Sequence, residues 1–440
     1  MEKKRLLVLS VDAMVREDVD RLMKLHHFGT VMKNSCQITH ARTIYPSITY
    51  PAHASISTGC YPNRTGIVSN FEMTTADKEQ SWVWDHSHLK VKDIFTAAKK
   101  SGYSTGSVFW PVTGNHPDID YLINEYWMPL PGDTLESSYR RAGSSAEVIK
   151  IIKKNEMYLP SSYKKTGRTN FMVQPYIDHF LIRCSCDIIR QFAPEVMFIH
   201  DGIIDGTRHK YGVFNAEVEK AIGFVDDQFG MLMEALDDAG VREQTNIVLL
   251  SDHGQMETKR IIKPNVYLRD NGFIDADEDG TVTDWRAFCL SDAMSDLVFL
   301  KDPSDRKTYD AVYKLLSHMA DEGVYGFNAV LTADEIDKQE HLNGDFSFVL
   351  ESDGYTSFSD SCIRPVVKSF DSSDYRFGRA THGYNPDLGP QPVFNAIGPD
   401  FNKDVIIERL PVVDEAPTLA KLLGVDLPDT DGRPIEAFLR

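Results

Sequence analysis

The sequence lacks any hydrophobic run long enough to cross a bilayer, which takes about 20 apolar residues. Its first apolar run, LLVLSV, ends at Asp12, whereas a secretory signal peptide needs a longer run followed by a cleavage site of small residues. The six cysteines are scattered rather than grouped, so the pattern is not that of a small disulfide-stapled domain. We therefore expect a cytoplasmic protein with reduced thiols and no membrane association.

Positive charge is also scarce in this chain. There are 47 lysines and arginines against 65 aspartates and glutamates, and the net charge is −18. An acidic surface repels phosphate backbones and anionic lipids, so we expect no binding of nucleic-acid polymers. A small anionic substrate is compatible with this charge where bound cations reverse its sign locally. The composition leaves the oligomeric state open.

What the sequence does contain is an alternation of strand-like and helix-like segments. The runs RLLVLSV (5–11), EVMFIH (195–200) and NIVLLS (246–251) are short and largely apolar, as in strands buried on both faces of a parallel sheet. Residues 215–240 have helical spacing, with an asparagine cap and a glycine stop. This alternation predicts an α/β three-layer sandwich with a mostly parallel central sheet.

Two stretches interrupt the alternation. Residues 111–172 are rich in Pro, Gly, Ser, Tyr and Lys, and we interpret them as an irregular insertion. Residues 263–375 mix short strand-like runs with one helical run, and core-like strands resume after them. We therefore predict a catalytic core formed by residues 1–262 and 376–440, with an inserted cap or substrate domain at 263–375.

Aspartate and histidine residues recur where the predicted strands end. They are Asp12, Asp201, Asp205, His209, Asp252, His253 and His382. Ligands of open α/β sheets bind beyond the carboxyl ends of the strands, so we expect these side chains at one edge. Each alone fits a turn, a helix cap or a surface pair, but together they suit two divalent cations. Mixed oxygen and nitrogen ligands favour Zn²⁺, with Mn²⁺ as the alternative.

The segment 43–66 contains a candidate nucleophile, Thr49. The run IYPSIT is expected to be extended, because a residue that precedes proline is disfavoured in a helix. Pro51 suits the first turn of a helix that ends at Gly59. Thr49 then stands just ahead of a helix N-terminus, where backbone N–H groups and the helix dipole stabilise an alkoxide and a phosphate. The same position suits an ordinary helix cap.

Six segments, taken in order, resemble the nucleotide pyrophosphatase/phosphodiesterase branch of the alkaline phosphatase superfamily. They are VDAM (11–14), YPSITYPAHASISTGCYPNRTGIVSN (45–70), FWP (109–111), DGTRHKYG (205–212), LLSDHG (249–254) and THGYNP (381–386). The resemblance implies an alkaline-phosphatase-like core and hydrolysis of a phosphodiester or pyrophosphate bond, with a nucleotide-like substrate favoured. It also implies a covalent intermediate on Thr49.

The resemblance implies a role for each site residue. One zinc ion would be bound by Asp205, His209 and His382. The other would be bound by Asp12, Asp252 and His253, together with the Thr49 oxygen. Asn70 would donate a hydrogen bond to a phosphate oxygen, and Tyr50 occupies a position on which a nucleobase can stack or which serves packing alone.

The implied charges are consistent with an anionic substrate, because three carboxylates facing two divalent cations leave one net positive charge. The sequence departs from the family at HDGII (200–204), where members that act on nucleotides often carry acidic residues. This departure leaves the leaving group less certain than the metal chemistry.

Several alternatives share parts of this pattern. Phosphonoacetate hydrolases, which cleave a C–P bond, and phosphomonoesterases use a comparable metal site, whereas the related mutases use a serine nucleophile. CYPNR (60–64) is similar to the C-x-P-S-R motif of sulfatases, but Asn63 replaces the serine and the cysteine follows the predicted helix. A catalytically inactive metal-binding module is the alternative from another functional class.

Overall fold

The structure is a computed structural model that describes residues 3–75, 81–125, 130–160, 174–370 and 374–440. Its strands, in chain order, are β1 Arg5–Val11, β2 Cys36–Ile38, β3 Thr105–Val108, β4 Tyr121–Ile123, β5 Val196–Asp201, β6 Thr245–Leu250, β7 Met256–Glu257, β8 Arg260–Ile262, β9 Ile274–Ala276, β10 Val282–Trp285, β11 Ala287–Ser291, β12 Ser295–Leu300, β13 Phe327–Thr332, β14 Phe348–Ser352, β15 Thr356–Phe358, β16 Val367–Lys368, β17 Ala380–Thr381, β18 Phe394–Ile397 and β19 Ile406–Ile407. The α-helices span Arg16–Leu22, His26–Val31, Thr49–Thr58, Pro62–Thr65, Ile94–Lys100, Leu135–Arg141, Ala146–Asn155, Tyr176–Phe192, Ile203–Tyr211, Ala216–Asp238, Pro264–Asp270, Arg306–Glu322, Ala333–Glu340 and Glu415–Leu423.

The central sheet has eight strands in the order β19-β2-β18-β6-β1-β5-β3-β4. Strand β1 pairs in parallel with both β5 and β6. Strand β18 is antiparallel to both of its neighbours, β2 and β6. The predicted mostly parallel sheet is confirmed, and its antiparallel member is the strand that follows the predicted site loop 381–386.

Helices cover both faces of this sheet. Alternate side chains of β1 belong to two separate hydrophobic clusters, as the period of two in a strand requires. One cluster adjoins helices Tyr176–Phe192 and Ala216–Asp238, and the other adjoins helices Thr49–Thr58 and Glu415–Leu423. The three-layer α/β sandwich predicted from the sequence is therefore confirmed.

Residues 263–375 contain a second sheet, in which β11, β12, β14 and β13 pair antiparallel in that order. Helix Arg306–Glu322 packs against it through Val312, Leu316 and Met319. The small sheet β15-β8-β16 straddles the predicted boundary, because β8 precedes residue 263 while both of its partners follow it. The division into core and cap remains a prediction.

The stretch 111–172 is more regular than the sequence suggests. It contains β4 and the helices Leu135–Arg141 and Ala146–Asn155, while residues 126–129 and 161–172 lie outside the described residues. Strand β4 has three residues, which is too short to show an alternation. Helix Ala146–Asn155 is capped by Ser145, whose side chain accepts a hydrogen bond from the Val148 N–H.

All six cysteines are buried, and none of them forms a disulfide bond with another described residue. Among the described residues, no helix combines the length and hydrophobicity that a membrane span requires.

The buried side chain of Arg208 fixes helix Ile203–Tyr211 against the segment that follows β1, through Asp18 of helix Arg16–Leu22 and the Ala13 carbonyl. Arg208 is fully buried and donates from Nη2 to both carboxylate oxygens of Asp18, at 2.8 and 2.9 Å. Its Nε donates to the Val213 carbonyl at 3.0 Å, and its Nη1 donates to the Ala13 carbonyl. Because Ala13 follows Asp12, this pair holds two of the predicted site segments together.

We expect Arg208→Met to lower the free energy of unfolding by about 3 to 5 kcal/mol, because Asp18 would remain buried without its partner. Urea unfolding followed by tryptophan fluorescence measures the loss. Arg190→Met is the matched control, since Arg190 pairs with Asp238 at the surface and such a pair contributes about 1 kcal/mol or less. Equal losses in the two variants would contradict the anchoring role of Arg208.

Candidate metal centre

Four segments deliver the predicted ligands to one edge of the central sheet. Asp12 directly follows β1, and Asp252 lies two residues beyond the neighbouring strand β6. Helix Ile203–Tyr211, just after β5, carries Asp205 one helical turn before His209. His382 directly follows β17. The six predicted ligands form two buried groups, one of Asp12, Asp252 and His253 and the other of Asp205, His209 and His382.

In the first group, the ring of His253 lies between the two carboxylates. Its Nε2 is 3.2 Å from Asp252 Oδ2 and 3.4 Å from Asp12 Oδ1. The hydroxyl oxygen of Thr49 lies 3.2 Å from the same nitrogen. Thr49 is 7% exposed and lines the same pocket as Asp12, whereas Asp252 and His253 are fully buried.

In the second group, Asp205 lies between two imidazoles. Its Oδ2 is 3.0 Å from His209 Nε2, and its Oδ1 is 3.7 Å from His382 Nε2. The His209 ring is oriented by its Nδ1, which donates to the Ala380 carbonyl at 2.8 Å. The two groups adjoin each other, because the ring centroids of His253 and His382 are 4.1 Å apart.

The carboxylates of the first group need positive charge. Burial, and next the charge of Asp205, raises the pKa of Asp12 to about 6. Burial, and next the charge of Asp12, raises the pKa of Asp252 to about 7. Asp12 Oδ1 and Asp252 Oδ2 are buried and accept no hydrogen bond from the described residues. Buried carboxylate oxygens of this kind are stabilised by a bound cation.

The spacing of the ligand atoms also fits a small divalent ion. Ligands placed about 2.0–2.1 Å from a tetrahedral ion are about 3.3 Å from each other. The N–O separations in both groups are between 3.0 and 3.7 Å. In the second group burial would raise the pKa of Asp205, but His209 and then His382 hold it below its ordinary value. Each group therefore fits one divalent cation, and its identity remains a prediction.

Thr49 is the first residue of helix Thr49–Thr58, with Ile48 in the capping position. The sequence pattern predicts Thr49 just ahead of the helix rather than within it. The helix ends at Gly59, which adopts a left-handed φ of 71° as the predicted stop requires. Within the helix His53 Nδ1 donates to the Thr49 carbonyl at 2.9 Å, and Ser10 Oγ lies 2.9 Å from His53 Nε2. These bonds fix the first turn beside the strand that carries Asp12.

Asn70 faces the same pocket as Thr49 and is held by two contacts. Its Oδ1 accepts the N–H of Tyr50 at 2.9 Å, which satisfies a donor at the open end of the helix. Its Nδ2 donates to Tyr375 Oη at 3.2 Å. A carboxamide nitrogen has two N–H groups, so this arrangement allows a second donation into the pocket.

Tyr50 is fully buried and is not among the described residues that line the pocket. Its ring packs 5.1 Å from that of Trp82, centroid to centroid. The aromatic side chains that do line the pocket are those of Trp82, Phe109 and Tyr375. The burial of Tyr50 does not favour the predicted stacking on a nucleobase, which remains a prediction. Its contact with Trp82 fits the alternative, a role in packing alone.

Comparison with protein families gives a match that covers most of the chain. The family model for type I phosphodiesterase / nucleotide pyrophosphatase matches residues 6–385. The chain belongs to this family.

Curated relatives of this family member include ectonucleotide pyrophosphatase/phosphodiesterase family member 1 of Homo sapiens, 27% identical over 267 residues, with coverage of 57% of this chain and 23% of the relative. Venom phosphodiesterase 2 of Crotalus adamanteus is 25% identical over 278 residues, with coverage of 58% and 27%. The chain thus spans about a quarter of the length of the curated relatives that it matches.

Solved structures of the family share the fold. Human ectonucleotide pyrophosphatase / phosphodiesterase 5 superposes with a TM-score of 0.67 at 19% identity, covering 98% of this chain and 97% of that one. The murine protein, as an inactive variant in complex with AMP, superposes with a TM-score of 0.66 at 19% identity over the full length of both chains. At this identity the likeness establishes the architecture alone.

Two residues that contact the predicted ligands, His200 and Gln255, were not predicted from the sequence. His200 Nε2 lies 3.0 Å from Asp12 Oδ2, and its Nδ1 lies 3.1 Å from the Phe109 carbonyl. Burial would lower the pKa of His200, but its bonds with Asp12 and Glu125 raise it well above the usual value. Gln255 Nε2 donates hydrogen bonds to both the backbone carbonyl and the Oδ1 of Asp205. The sequence did contain a signal for His200. It lies near the end of β5, and β5 pairs with β1, the strand that leads to Asp12.

Cys60 lies after the last residue of helix Thr49–Thr58, whereas Thr49 begins it. Its Sγ contacts the backbone oxygens of Thr58 and Asp429, and burial raises its pKa. The helix has ten residues, so its ends are about 15 Å apart. The sulfatase alternative therefore gains no support from the position of this cysteine.

We expect the protein to bind about two equivalents of Zn²⁺, and His209→Ala to lose about one of them, because only one group is deprived of a ligand. Metal analysis after dialysis against a weak chelator measures the stoichiometry. His318→Ala is the control, since the His318 side chain is 72% exposed and lies outside both groups. Full retention of both equivalents in His209→Ala would contradict the assignment.

Proposed function

We propose that this protein is a metal-dependent phosphoesterase that hydrolyses a phosphodiester or pyrophosphate bond, with two zinc ions and a covalent intermediate on Thr49. The observation that carries the proposal is the position of the Thr49 hydroxyl. It lies 3.2 Å from His253 Nε2, at a helix N-terminus, beside two adjoining groups of metal-type ligands. Membership of the type I phosphodiesterase / nucleotide pyrophosphatase family supports the reaction class.

The roles of the protein groups follow from their positions. The Thr49 oxygen attacks phosphorus, its proton passes to solvent, and the bond from phosphorus to the leaving group breaks. The new ester sits at the N-terminus of helix Thr49–Thr58, where the dipole stabilises negative charge. The amide of Asn70 donates to a phosphoryl oxygen. Water then hydrolyses the Thr49 ester and restores the hydroxyl.

Divalent cations, when bound, supply positive charge that favours the threonine alkoxide and offsets the charge on the phosphoryl oxygens. The residues that would hold them are Asp12, Asp252 and His253 for one ion and Asp205, His209 and His382 for the other. His200 and Gln255 orient carboxylates of the two groups from behind.

A nucleotide-like substrate is favoured by the walls of the pocket. Trp82, Phe109 and Tyr375 offer aromatic surface close to Thr49 and Asn70. Aromatic rings of this kind stack on planar bases and are worth about 1–3 kcal/mol per base. A murine relative has been solved in complex with AMP, which is consistent with this choice.

We expect Thr49→Ala to lower turnover of bis(p-nitrophenyl) phosphate at least about a thousandfold while it keeps both metal equivalents, because the nucleophile is removed but the Asp and His ligands of both groups remain. Thr49→Ser, which retains a hydroxyl, should recover part of this loss. Release of p-nitrophenolate measures the rates, and mass spectrometry of acid-quenched wild type detects the ester on Thr49. Near-normal turnover in Thr49→Ala would remove Thr49 as the nucleophile.

We expect the protein to prefer bis(p-nitrophenyl) phosphate over both p-nitrophenyl phosphate and phosphonoacetate. The aromatic walls favour a second organic substituent on phosphorus, which the two competing substrates lack. Values of kcat/KM for the three compounds at equal zinc loading measure the preference. Preference for the monoester or for phosphonoacetate would select the corresponding alternative on the same metal site.

A further inference from the structure

The turn between β11 and β12 reaches from residues 263–375 to the segment that carries Asn70. Asp292 in this turn is fully buried, and its Oδ1 accepts a hydrogen bond from Ser69 Oγ at 2.6 Å. Ser69 Oγ also accepts the Phe71 N–H at 3.1 Å, so its side chain braces the backbone on both sides of Asn70. The buried carboxyl of Asp292 therefore fixes the residue that precedes Asn70.

The turn itself is held in place by independent contacts. The Asp292 N–H donates to the Ser295 carbonyl at 2.9 Å, and the Ala293 N–H donates to Ser291 Oγ at 3.1 Å. The Phe358 N–H donates to the Ala293 carbonyl at 2.8 Å. A residue can position another only where it is itself fixed, and this turn meets that requirement.

The same turn contacts the loop of His382. The Met294 N–H donates to the His382 carbonyl at 3.0 Å. The backbone oxygen of Asp292 lies so close to Gly383 that a Cβ built there would be 2.0 Å from it, and Gly383 has a φ of 89°. One turn therefore lies against the backbones of a predicted phosphate donor and of a predicted metal ligand.

The chemistry of Asp292 suits a fixed contact rather than a free charge. Burial raises the pKa of the Asp292 carboxyl to about 8. A buried carboxyl is costly for the fold unless its contacts compensate. The hydrogen bond from Ser69 Oγ to its Oδ1 is a contact of this kind, and it links Asp292 to the segment of Asn70.

We propose that Asp292 is a positioning residue for Asn70, acting through Ser69, so that residues 263–375 hold part of the phosphate site in place. The inference rests on the proposed function, since it takes Asn70 as the donor to phosphate. It predicts that removing Asp292 weakens anion binding only while Asn70 is present.

The test is a double-mutant cycle on AMP binding to zinc-loaded protein, measured by calorimetry. Asn70→Ala is expected to weaken AMP binding by about 10- to 100-fold, the range for a hydrogen bond to a charged group. Asp292→Ala should weaken it by about tenfold in the wild-type background and by less than about threefold in the Asn70→Ala background. Asp292→Asn, which keeps the acceptor oxygen, should retain most of the affinity.

Asp296→Asn is the matched control, because Asp296 lies in the same hairpin, is fully buried and accepts no hydrogen bond from the described residues. It should leave AMP affinity unchanged. If Asp292→Ala does not fold, Ser69→Ala removes the same bond from the other side and should give the same pattern. An equal loss in both Asn70 backgrounds, or no loss in either, would overturn the inference.

The cycle needs binding and no turnover, so it is separate from the test of Thr49. If the wild-type protein binds AMP but cleaves no diester, the proposed reaction is contradicted. The double-mutant cycle would still test the positioning role of Asp292. A zinc-loaded wild type that binds neither AMP nor inorganic phosphate would remove the anion site and this inference with it.

Discussion

The predicted site places three carboxylates close together and away from water, and the rest of the structure has to offset their electrostatic repulsion. Asp12, Asp252 and Asp205 are all buried, and the charge of one raises the pKa of another. Such an arrangement is stable when protons, imidazoles or cations offset the charge. The three histidines lie within ion-pairing distance of these carboxylates, at the spacing that a shared divalent ion requires. This constraint makes metal binding the simplest reason for keeping the residues buried.

The fold meets the constraint through the direction of its strands. Strands β1, β5 and β6 run in parallel, so their carboxyl ends deliver ligands to one edge. A surrounding layer then fixes each side chain: His200 contacts Asp12, Gln255 contacts Asp205, and the Ala380 carbonyl orients His209. The Arg208–Asp18 pair holds the helix of Asp205 and His209 against the loop of Asp12. Charges that repel each other are thereby kept in one geometry.

Much of this could be predicted because the signals are local. A short apolar run that ends in an aspartate indicates a buried strand and a candidate ligand. Gly59 ends its helix through a left-handed φ, and Asn215 begins one because its side chain accepts the N–H groups of Glu217 and Val218. The six Asp and His residues were singled out because they lie at or soon after strand ends, and the structure brings them into the two groups that the family resemblance implies. That they bind metal remains a prediction.

The features that the sequence did not reveal depend on long-range contacts. The antiparallel direction of β18 is set by the route of the chain before it, which no local pattern encodes. The burial of Tyr50 depends on Trp82, 32 positions away in the chain, and the contact of His200 with Asp12 joins two neighbouring strands. Strand β4 is too short for its period to be seen.

These contacts also constrain how substrate reaches the site. A cap that opened as a rigid lid would have to break the bond from Asp292 to Ser69 and the bond from Met294 to the His382 carbonyl. Both bonds are buried beside the predicted phosphate donor Asn70 and the predicted metal ligand His382, so opening there would disrupt the predicted site. The pocket is also lined by Phe109 and Ile177, which lie outside residues 263–375. Residues 263–375 therefore contact the predicted site from one side through fixed hydrogen bonds, and we do not interpret them as a movable cover over it.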